Sequence, residues 1–256
     1  MASNWLWASA SVIGSSHLRS GTPKQDAFAA FMVKENPSAF CSVVCDGAGS
    51  TRWGGVGAYL SARIFKKRMV EYFKEKEALP DEEVIWEIID EIRDRLFSLA
   101  MLRDTHIREF STTFLGIITD GADTVYFHIG DGSIVIQNEK NSLWESISWP
   151  EHGEYASTTN FITESPAPKL KFGTLDEKVK SIALFSDGIE RLALNFEEQS
   201  AHAPFFNGMF QPLWASTNSG HSENISSALS DYLSGEKINS RTDDDKTLVM
   251  AVKRKS

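Results

Sequence analysis

The sequence predicts an α+β domain, and three observations carry that expectation. Strand-like runs fill the first fifty residues, two long helix-patterned stretches follow, and short strand-like runs with turns dominate beyond residue 110. No internal repeat and no low-complexity linker divides the 256 residues, so one domain over 1–256 is the economical reading. The composition, 41% hydrophobic and 24% charged, is that of an ordinary globular chain.

In "NWLWASASVIG", Trp5 and Trp7 alternate with small or polar residues, as in a half-buried strand. "AFAAFMV" and "AFCSVVCDG" read as further strands. A helix is expected from about Trp53 to Lys76, with Ala58, Ala62, Phe65, Met69 and Phe73 on one face. A second is expected from about Asp81 to Met101, where Val84, Ile85, Ile88, Ile92, Leu96 and Met101 recur at helical spacing. Asp81, Glu82 and Glu83 suit its positive N-terminus. "STTFLGIIT", "TVYFHIG" and "SIVIQN" read as strands joined by "DGAD" and "GDG" turns. Residues 150–178 lack periodicity and are expected to form an irregular, flap-like excursion. "SIALFSDGIERLAL" reads as strand, turn and short helix. Residues 195–221 are expected to be irregular too. Their Phe196, Phe205, Phe206, Phe210 and Trp214 form either a substrate or partner surface or a satellite core under a loop. A helix near Glu223–Leu233 and a final strand, "KTLVMAV", complete the order.

Several function classes are disfavoured at once. A net charge of −9, from 35 acidic against 26 basic residues, argues against a nucleic-acid binder. Apolar runs such as Ser181–Phe185 are too short to cross a bilayer, and the N-terminal stretch has no basic residue before its apolar part, unlike a secretory signal. Cys41 and Cys45, four positions apart on a strand, would have Cα atoms about 13 Å apart, beyond disulfide reach. The cytoplasm is therefore the expected compartment, with no membrane or nucleic-acid partner.

The aspartates carry the chemistry. "VVCDG" at Asp46, "FHIGDG" at Asp131 and "ALFSDG" at Asp187 are each an apolar run ending in Asp-Gly. Asp244 in "TDDDKTLVMAV" precedes the final strand, and Asp26 in "KQDAFAAF" stands at the mouth of another run. A lone Asp-Gly is a common turn. Five strand-edge carboxylates from distant segments, if they converge, would repel one another without cations. Hard oxygen donors with no His or Cys cluster select Mg²⁺, Mn²⁺ or Ca²⁺ rather than zinc. Competing motifs fail: G-x-G-x-x-G would need glycine at Arg52, and neither G-x-x-x-x-G-K-[ST] nor H-E-x-x-H is present.

"KQDA", "CDGAGS", "STTFLG", "HIGDGS", "FSDGI" and "DDDKTLV" stand in the order of the motifs of PPM-type, protein phosphatase 2C-like enzymes, over roughly residues 10–252. The chain thus resembles metal-dependent Ser/Thr phosphatases, and its length and wording resemble a small bacterial branch. The resemblance implies a four-layer α-β-β-α sandwich with two antiparallel sheets, and a two-metal Mg²⁺ or Mn²⁺ site at one end. By that resemblance Asp46 bridges both ions, the Gly47 carbonyl binds one, and Asp187 and Asp244 hold the other. Asp26 acts through metal-bound water, Asp131 takes a third, weaker ion, and Asp243 and Asp245 are neighbours that could stand in for Asp244. It also implies hydrolysis of phosphoserine and phosphothreonine by a metal-bridging hydroxide, with phosphorylated proteins as substrates and a Ser/Thr kinase sharing those targets.

Three departures from the family pattern follow. A His two residues after the first aspartate, a general acid in many relatives, is Ala48 here. Where some relatives carry a phosphate-binding Arg, Gly21 and Thr22 stand, and the closest basic residues are Arg19 and Lys24. Glu190 and Arg191 replace the acid that often follows "SDG". His17, in "GSSHLRSG", is the candidate substitute acid. Two other readings follow from these gaps: a catalytically weak module that binds phosphorylated partners, and a small-molecule phosphatase.

Overall fold

A computed structural model of the chain describes residues 5–34, 36, 38–150 and 159–254. The N-terminal half runs β1 (Trp5–Val12), α1 (Ser15–Ser20), β2 (Ala27–Met32), β3 (Phe40–Cys45), α2 (Gly54–Glu75) and α3 (Glu82–Leu102). After a 3₁₀ turn at Ile107–Phe110 come β4 (Phe114–Thr119), β5 (Thr124–Ile129), β6 (Ser133–Asn138) and β7 (Trp144–Ser148). Then follow β8 (Lys171–Leu175), β9 (Val179–Phe185), α4 (Asp187–Ala193) and the two-residue strands β10 (Leu194–Asn195) and β11 (Ser200–Ala201). The chain continues with α5 (Ala203–Ala215), β12 (Gly220–His221), α6 (Glu223–Ser234), α7 (Glu236–Asn239) and β13 (Lys246–Lys253).

Two sheets stack face to face. One has the order β2-β3-β4-β5-β8, the other β12-β1-β13-β9-β6-β7. Three apolar layers follow from this. Phe65, Phe114 and Phe127 fill the space between the first sheet and helices α2 and α3. Trp5, Phe40, Ile134 and Leu184 lie between the sheets. Phe185, Phe206, Phe210 and Leu229 pack the second sheet against α4, α5 and α6. β3 shows why its sequence does not alternate: Cys41, Val43 and Cys45 face the helices, Phe40 and Val44 face the other sheet, and both faces are dry. This is the expected four-layer α-β-β-α sandwich. One detail differs: β12 runs parallel to β1, so the second sheet is not wholly antiparallel.

Two segments expected to be irregular hold regular structure. Of 150–178, residues 151–158 lie outside the described residues, but Lys171–Leu175 is strand β8, paired along β5. Its half-buried, glycine-containing sequence gave no clean period because it is an edge strand. Within 195–221, Ala203–Ala215 is helix α5, opened by Pro204 in its first turn. Phe206, Phe210 and Leu213 recur at 4 and 3 positions and are fully buried. Trp144 stacks on Phe206 with centroids 4.9 Å apart. The aromatic group there is mainly core; Phe196 remains substantially exposed.

The antiparallel registers bring four strand ends to the same edge. Val44 pairs with Leu115, Phe114 with Ile129, and Phe185 with both Ser133 and Leu248. The loops beyond β3, β5 and β9 and the lead-in to β13 therefore meet at one end of the sandwich.

Candidate metal centre

Those loops line a pocket of about 480 Å³ that contains Asp46, Gly47, Asp131, Asp187, Asp244 and His17. Each is held there by local geometry that the sequence requires.

Asp46 leaves β3 with its main chain tied to Thr113. Its N–H donates to Thr113 Oγ1 at 2.9 Å, and its carbonyl accepts from the Thr113 N–H at 2.8 Å. Gly47 follows because no side chain fits: a Cβ there would lie 2.2 Å from the Gly54 carbonyl carbon. That backbone-on-backbone contact presses the start of α2 against the loop. Asp131 is flanked by Gly130 and Gly132, at φ of +107° and +86°, values that favour glycine. The Asp131 carbonyl lies 3.1 Å from His128 Nε2, and Thr159 Oγ1 donates to Asp131 Oδ2 at 2.7 Å. Burial holds the His128 imidazole neutral down to about 4. Asp187 opens α4, whose start is locked to the beginning of β13: a Cβ on Gly188 would sit 2.0 Å from the Asp245 carbonyl oxygen. Arg93 donates to the carbonyls of Ile162 at 2.8 Å and Glu164 at 2.7 Å, fixing the segment that overhangs the pocket.

The triplet Asp243-Asp244-Asp245 divides three ways. Asp243 pairs with Arg19 at the surface, 2.9 Å apart. Asp244 is exposed and lines the pocket. Asp245 is buried: its Oδ1 accepts from the Gly14 N–H at 2.6 Å and lies 3.0 Å from His17 Nδ1, while its Oδ2 accepts from the Gln25 N–H at 2.5 Å. Asp245 thereby fixes α1, which carries His17 beside the pocket. Asp26 is also buried and does not line the pocket. Its Oδ2 accepts from Ser186 Oγ at 2.7 Å and Thr247 Oγ1 at 2.6 Å, while its Oδ1 has no protein partner.

The electrostatics are lopsided. Burial first, then the neighbouring carboxylates, push Asp46 and Asp187 well above the usual carboxylate range. Burial raises Asp26 to about 6 against the pull of its two hydroxyl donors. Glu190, which accepts from the Gly132 N–H at 2.8 Å, is raised to about 7 by burial. No Lys or Arg lines the pocket among the described residues. Arg19 is turned to Asp243, and Lys24 Nζ donates to Ser11 Oγ and to the Asp26 carbonyl. No three acidic, His or Cys side chains close into a tight cluster among the described residues. The donor set still fits a divalent cation. It is all oxygen and open to solvent on one side, and Asp187 Oδ1 is buried with no protein hydrogen-bond partner. Both cysteines are buried and free, and burial raises their thiols, which removes them as nucleophiles.

The six carboxylate-bearing or glycine positions singled out from sequence are thus brought together, except that Asp26 sits behind the wall. Sequence reasoning gave no role to Thr113, Thr159, Ser186 or His128, and it offered Asp245 only as a stand-in for Asp244; all five instead hold other groups.

The comparisons with known proteins agree with this fold. A family model described as Protein phosphatase 2C matches residues 13–234. The chain belongs to that family. Its protein phosphatase 2C character extends to a curated relative, Serine/threonine-protein phosphatase 3 of Escherichia coli (strain K12). That protein is 36% identical over 255 residues, with 97% of this chain and 98% of the relative covered. Among solved structures, PppA of Pseudomonas aeruginosa superposes with a TM-score of 0.66 at 16% identity, covering 98% of this chain and 99% of that one. Stp1 of Staphylococcus aureus gives 0.65 at 17%, covering 97% and 95%. The latter two likenesses concern the fold. As a protein phosphatase 2C member, the chain is an enzyme of the serine/threonine phosphatase type.

Proposed function

We propose that this chain is a Mg²⁺- or Mn²⁺-dependent phosphatase of phosphoserine and phosphothreonine proteins, working at the aspartate pocket. One observation carries the reading. Four aspartates from four distant segments, Asp46, Asp131, Asp187 and Asp244, meet in one pocket with no Lys or Arg lining it among the described residues. Asp46, Asp187 and Asp244, with Gly47, would hold two ions. Asp131 would take a third, and Asp26, behind the wall, would act through water. When bound, the ions supply positive charge for the phosphoryl oxygens and an acidified water to attack phosphorus.

The chain's own groups do the rest. Asp245 holds the His17 ring at 3.0 Å through Nδ1, which leaves Nε2 as the ring nitrogen free to serve the pocket. His17 is the candidate to protonate the departing serine or threonine oxygen, in place of the absent histidine at Ala48. Phosphorylated proteins and a Ser/Thr kinase acting on the same targets are the expected partners. The two free, buried cysteines suit a reducing compartment such as the cytoplasm. No described helix is long and apolar enough to cross a membrane. A second reading, a weak enzyme that mainly binds phosphorylated partners, rests on Ala48 standing where many relatives carry a histidine and on Gly21 and Thr22 standing where some carry an arginine.

Hydrolysis of a phosphothreonine peptide with and without Mn²⁺ separates the two. The phosphatase reading expects turnover that needs the metal and stops with chelator. Binding without turnover supports the second reading, and full turnover in excess EDTA contradicts the metal mechanism. In the same assay, His17→Ala should slow the phosphopeptide by about 10²-fold or more while sparing p-nitrophenyl phosphate, whose leaving group needs no proton. Equal slowing of both substrates removes His17 as the acid.

A further inference from the structure

Among the described residues, strand β2 is the outer strand of its sheet and pairs with β3. Beside its free edge lies a groove of about 280 Å³, walled by Ala27–Ala30 on one side and by Tyr59, Arg63 and Lys66 of α2 on the other. Three of the four strand residues are alanine, so another chain can approach the backbone closely. A free strand edge beside a helix is the geometry in which an extended peptide adds as a further strand.

The charge of the groove is the reverse of the molecule's. The chain carries −9 overall. Yet Arg63 and Lys66 form no ion pair among the described residues, whereas Lys67 and Arg68, next on the helix, are both bridged to glutamates. Each of the two is steadied over a ring instead: the Arg63 guanidinium 5.9 Å from the Tyr59 centroid, and the Lys66 ammonium 5.5 Å from that of Phe31. The groove also adjoins the aspartate pocket. Gln25 lines the pocket and Ala27 lines the groove, so β2 starts where the pocket ends.

Resting on the phosphatase reading above, we propose that this groove docks the segment flanking the phosphorylated residue of the substrate. The segment lies extended along β2, and acidic side chains reach Arg63 and Lys66. At about 3.3 Å per residue, Phe31 lies about 16 Å along the strand from Asp26, so the acidic residues belong about four to six positions from the phosphorylated one.

The test measures kcat/KM for phosphothreonine peptides with Glu or Gln at four to six positions on either side, against wild type and R63E/K66E, with Mn²⁺ present. Wild type should prefer the Glu peptide about five- to tenfold, the scale of two exposed charge pairs. The preference should appear on one side only, and R63E/K66E should abolish or reverse it. The variant's rate on p-nitrophenyl phosphate, which occupies the pocket alone, should stay unchanged. N-methylation of alternate flank amides, which removes strand-forming donors, should lower kcat/KM in wild type. Equal kcat/KM for Glu and Gln peptides overturns the proposal, as does an unaltered preference in R63E/K66E. Dimerisation or aggregation of the variant with no change in peptide preference also overturns it, because the two cations then only guard a bare sheet edge. Failure of wild type on p-nitrophenyl phosphate as well as on both peptides would instead strike the phosphatase reading itself.

Discussion

Asp244 and Asp245 are neighbours, yet they belong to two different populations of carboxylate. Asp245 and Asp26 sit behind the pocket wall and are answered by the protein: main-chain N–H groups of Gly14 and Gln25 for one, hydroxyls of Ser186 and Thr247 for the other. Asp46, Asp187 and Asp244 face the pocket, where no Lys or Arg answers them among the described residues. The first set is tied within the chain, Asp245 through both oxygens and Asp26 through Oδ2, its Oδ1 having no protein partner. The other is left with charge that something outside the chain must balance. The same residue type, sometimes one position apart, serves fold or chemistry according to what its oxygens meet.

The sharpest way to break this division is to remove charge from the wall. Asp46→Asn or Asp187→Asn should cut turnover at least about a hundredfold, since several kcal/mol of charge stabilisation goes with an ion. The metal-free variants should melt no lower than wild type, and even higher, because repulsion among the wall carboxylates falls. Near-wild-type turnover at limiting metal would move the residue out of the ligand set.

Removing charge from behind the wall should do the opposite. Asp245→Ala orphans the buried N–H groups of Gly14 and Gln25 and should cost about 3–5 kcal/mol of stability, read by denaturant unfolding. A loss below about 1 kcal/mol would show that Asp245 is not the tie its contacts describe.

A smaller effect is the pH dependence of the metal-free protein. Asp26 at about 6, Glu190 at about 7, and the raised Asp46 and Asp187 all keep protons in the folded chain that the unfolded chain has already lost. The folded state then binds more protons, so stability should fall as pH rises from about 4 to about 7, by up to about 1.4 kcal/mol per pH unit for each extra proton held. His128, lowered to about 4, pulls the other way between about 4 and 6.5, but with one proton against several. Melting in chelator across that range checks the sign. Added Mn²⁺ should remove the decline.

Much of this architecture was legible in the sequence. Helix α3 announced itself by its apolar spacing and acidic first turn, and it runs Glu82–Leu102 with Asp81 accepting from the Val84 N–H. Asp46, Asp131 and Asp187 were legible because each ends an apolar run, and the Asp243–Asp245 triplet because it precedes one. The choice among Asp243, Asp244 and Asp245 was not, because adjacent identical residues differ only in what the fold places around them. Helix α1 was missed for want of periodicity: its six residues bury nothing and rest on the backbone of Asp243, whose carbonyl accepts from the Ser16 N–H at 2.9 Å. Helix α5 was hidden by Pro204 and Pro212 and by aromatics that read equally well as a loop's satellite core. Thr159, which holds Asp131, lies in a segment whose sequence carries no pattern at all.

The central claim is that the wall carboxylates are left for divalent cations, and calorimetric titration of Mn²⁺ into metal-free protein near pH 6.5 tests it most directly. Run in two buffers of different ionisation heat, the titration should show saturable binding of about two ions per chain. It should also show net proton release, because carboxylates held protonated by burial must ionise to bind. Asp46→Asn should lose at least one of those ions, while R63E/K66E should keep both. Absence of saturable binding, or binding unchanged in Asp46→Asn, would contradict the account.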